Sequence, residues 1–519
     1  MMVERVRFAD AERAWRDGDP ERCVALCARV VSNGAARDDA VAVLRARALL
    51  RLRRVPEAIA LLTQRFGVRE ERGGQPAVAT MLLGTAYVRS GDVARGLTVL
   101  NDVARNTAEA DVALRSETAL GISLAHYAAG DLADAEAALD RVDAGADAVY
   151  ARALELRGWI AKRRGDFSAA AEHFESALAQ LDRCRQRDRF SEASVVTALG
   201  NIAIELLDEA RWDAMRKRGD RIAWDGKAMA YYRFWHEMNR SIGDETYGRP
   251  RDALHAARKA AAAAPSDAFR IFAHCRRAAV LLAYDELLGY EDLAATIRAE
   301  FDAIDIGALH AFEEVNLPAV IVATLASIGD AAGAASALER LDALSAAQLA
   351  VLTDEPLERG YLTYVEALVA DANGDTFSAQ HGYRDALRAF RETGAVRRAV
   401  VTALRLIDLN ADESAQRYVD AHVASLPAES WLRARAAKAS GRRNDPLLAE
   451  LTRAEREVLE LLYEGRSTAD IAAIRGRSPQ TIRNPVSMLL KAFGVGNRAA
   501  LISECRRRSL FESSLPAKR

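Results

Sequence analysis

One signature recurs along most of this chain and limits it to stacked helical hairpins. A Gly-Asp turn, or a substitute for it, is followed five positions later by a small residue, usually Ala, and another small residue lies about seven positions before the turn. The clear units are Gly18–Cys23, Arg53–Ala58, Gly91–Gly96, Gly130–Ala135 and Gly165–Ala170. Weaker units follow at Leu207–Trp212, Gly248–Ala253, Gly289–Ala294, Gly329–Ala334, Gly374–Ala379 and Asn410–Ala415. Successive turns lie 35 to 45 residues apart. Two antiparallel helices approach closely only where their side chains are small, and glycine makes the turn between them. One hairpin cannot bury its apolar face alone, so the hairpins stack on their neighbours. Strand patterns are essentially absent. The expectation is an all-α superhelix of about eleven helix pairs over residues 1–430.

Half of the 519 residues are apolar, which suits a core spread periodically along such an array. The net charge of −2 excludes a uniformly basic nucleic-acid binder. Five scattered cysteines exclude a disulfide framework, and Cys23 and Cys27, four apart on one helix, read as small core residues rather than a metal pair. There is no charged start with an apolar stretch behind it and no run of eighteen apolar residues, so a cytoplasmic protein without a membrane span is expected. No phosphate-cradling Gly-rich loop, zinc-protease motif or nucleophile elbow occurs, and the eight His residues are dispersed. No catalytic residue, metal site or cofactor is expected, and the chain is read as a non-enzyme.

The end of the chain reads differently. Thr452 with Glu455, Ser467 with Asp470, and Ser478 before Pro479 are three helix starts, and Gly465 and Gly476 close the first two helices. A fourth helix begins near Arg498. In the third, Ile482, Val486, Leu489, Leu490 and Phe493 form one apolar stripe, while Gln480, Arg483, Asn484, Ser487 and Lys491 occupy the opposite face. Amides, a hydroxyl and cations on one exposed helix face suit the major groove of double-stranded DNA. Between Leu451 and Leu510, eleven Lys/Arg stand against six Asp/Glu, and five further cations lie between Arg433 and Arg443.

This segment resembles the LuxR-type (GerE-like) helix-turn-helix domain, through LTRAEREVLELLYEG, STADIA, SPQTIRN and LLKAFGVGNRAALI in order. The resemblance covers about a tenth of the chain. It implies DNA contacts from Thr481, Arg483, Asn484 and Lys491, and homodimer pairing through the fourth helix. Adding the chemistry of the face, Arg477, Arg483, Lys491 and Arg498 are expected on phosphates, and Gln480, Thr481, Asn484 and Ser487 on bases. One residue departs from the family: Pro485 stands where it usually has His. A proline there cannot donate to the carbonyl of Thr481 and pushes Asn484 out of the α region, so a kink is expected.

The units LGTAYVRSGDVARGLTVL and RGWIAKRRGDFSAAAEHFESAL resemble tetratricopeptide repeats, and the longer later units resemble those of MalT-type regulators, without the ATPase module that such regulators carry. Four regions follow: a repeat superhelix at 1–430, a basic linker at 431–446, the helix-turn-helix domain at 447–510 and a tail at 511–519, with disorder expected after Pro516. Within the superhelix, Trp212, Trp224, Tyr231, Tyr232 and Trp235 interleave with cations that include Arg233. They are candidate contacts for a peptide, protein or small-molecule effector; the other reading is that the Trp residues fill gaps between irregular repeats. The expected function is a DNA-binding transcription regulator with a sensing superhelix. The alternative is a protein–protein adaptor whose helix-turn-helix, altered at Pro485, serves dimerisation or docking.

Overall fold

A computed structural model of the chain describes residues 7–30, 35–66, 77–109, 111–145, 147–184, 188–226, 229–284, 290–305, 307, 316–345, 355–410, 412–443, 451–463, 465–475 and 477–507. Among these residues there are 27 helices and no strand. Twenty-three helices run from Phe8 to Arg443. They form eleven antiparallel pairs, from Phe8–Arg16 with Pro20–Cys27 to Val396–Asn410 with Glu413–Val423, and one unpaired helix, Trp431–Arg443. No described helix is long and apolar enough to cross a membrane.

The turn positions behave as their spacing requires. Gly18, Gly91, Gly130, Gly165, Gly248, Gly329 and Gly374 all have positive φ, between 74° and 93°. Arg53 (59°) and Leu207 (57°), which substitute for glycine, are the two non-glycine residues with positive φ among the described residues. Gly289 lies outside the described residues, and Gly394 (71°) makes a further turn that the repeat signature did not include. The aspartate after the turn has its own role. Asp19, Asp92, Asp166, Asp208, Asp330 and Asp375 each accept the backbone N–H three residues on, capping the second helix of the pair.

Five residues past the turn the packing is tightest. Cys23, Ala58, Ala135, Ala170, Ala253, Ala334 and Ala379 are fully buried. A Cβ on Gly96 would lie 2.8 Å from the carbonyl oxygen of Gly84, and one on Gly158 would lie 2.7 Å from the Phe174 ring. Trp212 occupies the same position as these small residues and is also buried. Its space is left by Gly200 and Gly243, where an added Cβ would stand 3.4 and 2.3 Å from the indole.

Successive turns of the superhelix meet through polar groups. Arg51 pairs with Asp188, Arg163 with Glu355 at 3.2 Å, and Arg398 with Glu205 at 3.2 Å. Arg397 reaches Thr246 Oγ1 at 2.9 Å and Glu245 at 3.2 Å.

The reading of 431–446 as a linker is corrected over most of its length. Residues Trp431–Arg443 are a helix packed on the superhelix, with Leu432, Ala436 and Ala439 buried in the main core. Ser430 donates to the carbonyl of Thr246 at 2.6 Å, Arg433 donates to the carbonyl of Leu426, and Arg435 pairs with Asp408. An Ala/Arg-rich run looks polar, but residues 432, 436 and 439 share one helix face, so three small apolar side chains suffice to dock it.

Leu207→Gly should raise the thermal midpoint, because a leucine in the left-handed region costs about 1 kcal/mol relative to glycine. Gly243→Ala should lower it, by about 3 kcal/mol of overpacking against Trp212. Thermal or urea unfolding of the two variants beside the wild type checks both signs, and a destabilised Leu207→Gly would refute the strain at that turn.

Candidate nucleic-acid interface

The last four described helices, Arg453–Tyr463, Thr468–Ile474, Pro479–Ala492 and Arg498–Arg507, have a core of their own. Val458, Leu459, Leu462, Ile471, Ala472, Ile482, Leu489, Phe493, Leu501 and Cys505 fill it. Each of the first three helices starts where its cap lies. The Thr452 N–H donates to Glu455 at 2.9 Å and the Glu455 N–H returns to Thr452 Oγ1 at 3.3 Å. Ser467 and Asp470 form a second capping box. The Ser478 hydroxyl accepts from the Thr481 N–H, with Pro479 at the first helical position. Gly465 (φ 87°) turns out of the first helix; Gly476 lies outside the described residues.

The Pro479–Ala492 helix is unbroken through Pro485, which corrects the expected departure of Asn484 from helical geometry. Ser478 holds its start, and Ile482 and Leu489, on either side of the proline, are buried in the core. Those contacts offset the hydrogen bond that Pro485 cannot make to Thr481. The face away from the core presents Gln480, Thr481, Arg483, Asn484, Ser487 and Lys491, all exposed, with Arg477 exposed just before the helix. Arg483 donates to the Gln480 side-chain oxygen at 3.0 Å, and the Thr481 hydroxyl lies 2.8 Å from that of Ser478.

Arg498 stands apart from this group. It donates to the carbonyls of Leu462 and Arg466 at 3.3 and 2.5 Å, so its guanidinium closes the end of the Arg453–Tyr463 helix. This gives Arg498 a role in the fold that the sequence did not show. Arg475 is held likewise, by the carbonyl of Ala454 at 2.9 Å and by Glu457 at 3.1 Å. The sequence reading missed two exposed apolar residues, Met488 (60% exposed) on the same helix and Ile474 (58%) at the end of the preceding one.

The aromatic stretch of the superhelix separates into parts. Trp212 is sealed in the core (1% exposed), which removes it from any binding surface. Trp224 stacks on His236 at 4.8 Å and donates from Nε1 to the carbonyl of Gly219 at 3.0 Å. Trp235 packs among Phe234, Phe269 and Phe272. Tyr231 and Tyr232 are half-buried and meet edge to face, and Arg233 is exposed. Three of the interleaved cations are consumed locally: Arg216 and Lys217 by Asp213, Arg218 by Asp182 and Glu192, each between 2.6 and 2.9 Å.

Residues 451–507 thus form a self-contained helix-turn-helix domain with one exposed polar and cationic helix face. Residues 449–505 match the family of bacterial regulatory proteins, luxR family (GerE), and this part of the chain is a luxR-type domain. No curated protein matches the chain as a relative. Two solved structures are similar to it in fold. A Rap protein complexed with competence and sporulation factor aligns at 11% identity and a TM-score of 0.43, covering 74% of this chain and 99% of that one. The Cut9–Hcn1 hetero-tetramer of APC/C aligns at 14% identity and a TM-score of 0.39, covering 83% of this chain and 89% of that one.

The buried His236 makes the superhelix acid-sensitive. Desolvation, and then Arg240, push its pKa down from 6.5 to about 4, so the folded ring is neutral at pH 7. The unfolded chain therefore binds the extra proton first as pH falls. Stability from the neutral ring is complete above pH 6.5 and is lost as pH falls toward 4, by about 3 kcal/mol. Urea unfolding at pH 7 and 4.5 should show a smaller loss for His236→Gln than for the wild type; equal losses would count against it.

Proposed function

We propose that the chain is a DNA-binding transcription regulator whose repeat superhelix senses an effector and controls the C-terminal luxR-type domain. The observation that carries this is the exposed face of the Pro479–Ala492 helix in a domain of that family. Arg477, Arg483 and Lys491 are assigned to phosphates. Gln480, Asn484 and Ser487 are assigned to base edges in the major groove, and Thr481 sits at the helix start, where its hydroxyl is shared with Ser478. Two copies pairing through the Arg498–Arg507 helix would present two such faces to half-sites about one helical turn apart. The superhelix takes the sensing role because it supplies a long inner surface, whether its effector is a peptide, a protein or a small molecule.

Pro485 favours a second reading, an adaptor in which this domain pairs or docks without reading DNA. Fluorescence anisotropy of the full chain on a pool of genomic DNA fragments, at two salt concentrations, separates the two. The regulator binds a subset of fragments at physiological salt; the adaptor binds all fragments weakly and loses them as salt rises. Arg483→Ala should weaken binding to every fragment and lower the salt slope by about one. Unchanged affinity and slope would remove Arg483 from the interface. Pro485→His should leave affinity within a few-fold if the helix already reads DNA; a large gain would mean that the proline disables it.

A further inference from the structure

Val112, Phe377, Ile474 and Met488 are the large apolar side chains that stand exposed among the described residues. Two of them belong to the helix-turn-helix unit itself, Ile474 at the end of Thr468–Ile474 and Met488 within Pro479–Ala492. Single apolar side chains are common on protein surfaces, so the place of Met488 matters more than its exposure.

Thr481, Asn484 and Met488 recur at steps of three and four, which puts them on one stripe of the helix. All three are exposed. Ser487 and Lys491, also exposed, run beside the stripe, while Ile482 and Leu489 are buried on the side toward the core. The polar groups here are unequally engaged. The Thr481 hydroxyl lies 2.8 Å from that of Ser478 at the helix start, so its methyl group is what remains for a ligand. The Gln480 side-chain oxygen accepts from Arg483 at 3.0 Å, whereas Asn484 makes no side-chain hydrogen bond to a described residue. Met488 adds a thioether. The stripe therefore presents a methyl, an amide and a thioether over about 10 Å of helix axis.

The base edges of the major groove carry hydrogen-bond donors and acceptors and a single kind of methyl group, the C5-methyl of thymine. A thioether gains nothing from water, and where it meets such a methyl both leave water together. An amide pairs instead with N6 and N7 of adenine. We propose that Met488 is a specificity-determining residue that reads thymine methyl groups in the major groove, next to an adenine held by Asn484. The preferred DNA site then carries A·T pairs under this stripe. The inference rests on the DNA-binding reading above and adds to it the base that is read.

The test uses the full chain and a fragment that it selects from the genomic pool, with binding followed by fluorescence anisotropy. Each thymine of the fragment is replaced in turn by deoxyuridine, which removes the methyl group and keeps every hydrogen-bonding atom. At one or two positions in each half-site the replacement should weaken wild-type binding about three- to fivefold. Met488→Ala should bind the thymine and uracil forms of those positions alike, with the salt slope of the wild type, since no phosphate contact is lost. Met488→Gln, of similar length, should lose the difference too, and the exposed position lets either folded variant decide the result. Uracil tolerated at every position, or a thymine preference that survives in the folded Met488 variants, would overturn the proposal and leave the DNA-binding reading standing. A chain that selects no fragment at all would overturn both.

Discussion

The distance at which two helices of a hairpin can lie sets the rest of this molecule. Where a Cβ on Gly96 would sit 2.8 Å from the backbone of Gly84, the two helices touch almost main chain to main chain. Nothing larger than Ala or Cys is accommodated at most of these crossings. Such contact lets the flanking leucines and valines interdigitate, and it repeats from unit to unit. The crossing at Trp212 solves the same problem in reverse. An indole stands where others have a methyl group, and Gly200 and Gly243 on the neighbouring helices give up their side chains to admit it.

Adjacent hairpins hold one another through apolar surface, but distant turns of the superhelix meet through charge. Glu245 is shared by Arg276 and Arg397, and both ion pairs are largely withdrawn from water. Contacts of this kind contribute less to stability than to register, since removing one partner strands the other. They bring the last repeats against the middle ones, and Ser430 docks the helix that precedes the luxR-type domain.

That domain keeps its own small core, so its recognition helix depends on contacts close to hand. A cap at Ser478 and buried residues on both sides of Pro485 hold a helix whose interior lacks one hydrogen bond. The polar side chains opposite the core have no packing role there, which leaves them available to a groove. Arg498 was legible as a cation but not as a cap, because which carbonyls it reaches depends on how the first and fourth helices cross.

Periodicity and capping are local, so the sequence by itself determined the all-α class, the eleven helix pairs, the left-handed turns even at Arg53 and Leu207, and the three helix starts of the terminal domain. Backbone geometry at those points depends on a few neighbouring residues. The tertiary structure alone decided what became of the aromatic stretch and whether 431–443 joined the core. Trp212 and Tyr231 look alike in a sequence window, and only the packing of helices far apart in the chain buries one and leaves the other beside Arg53.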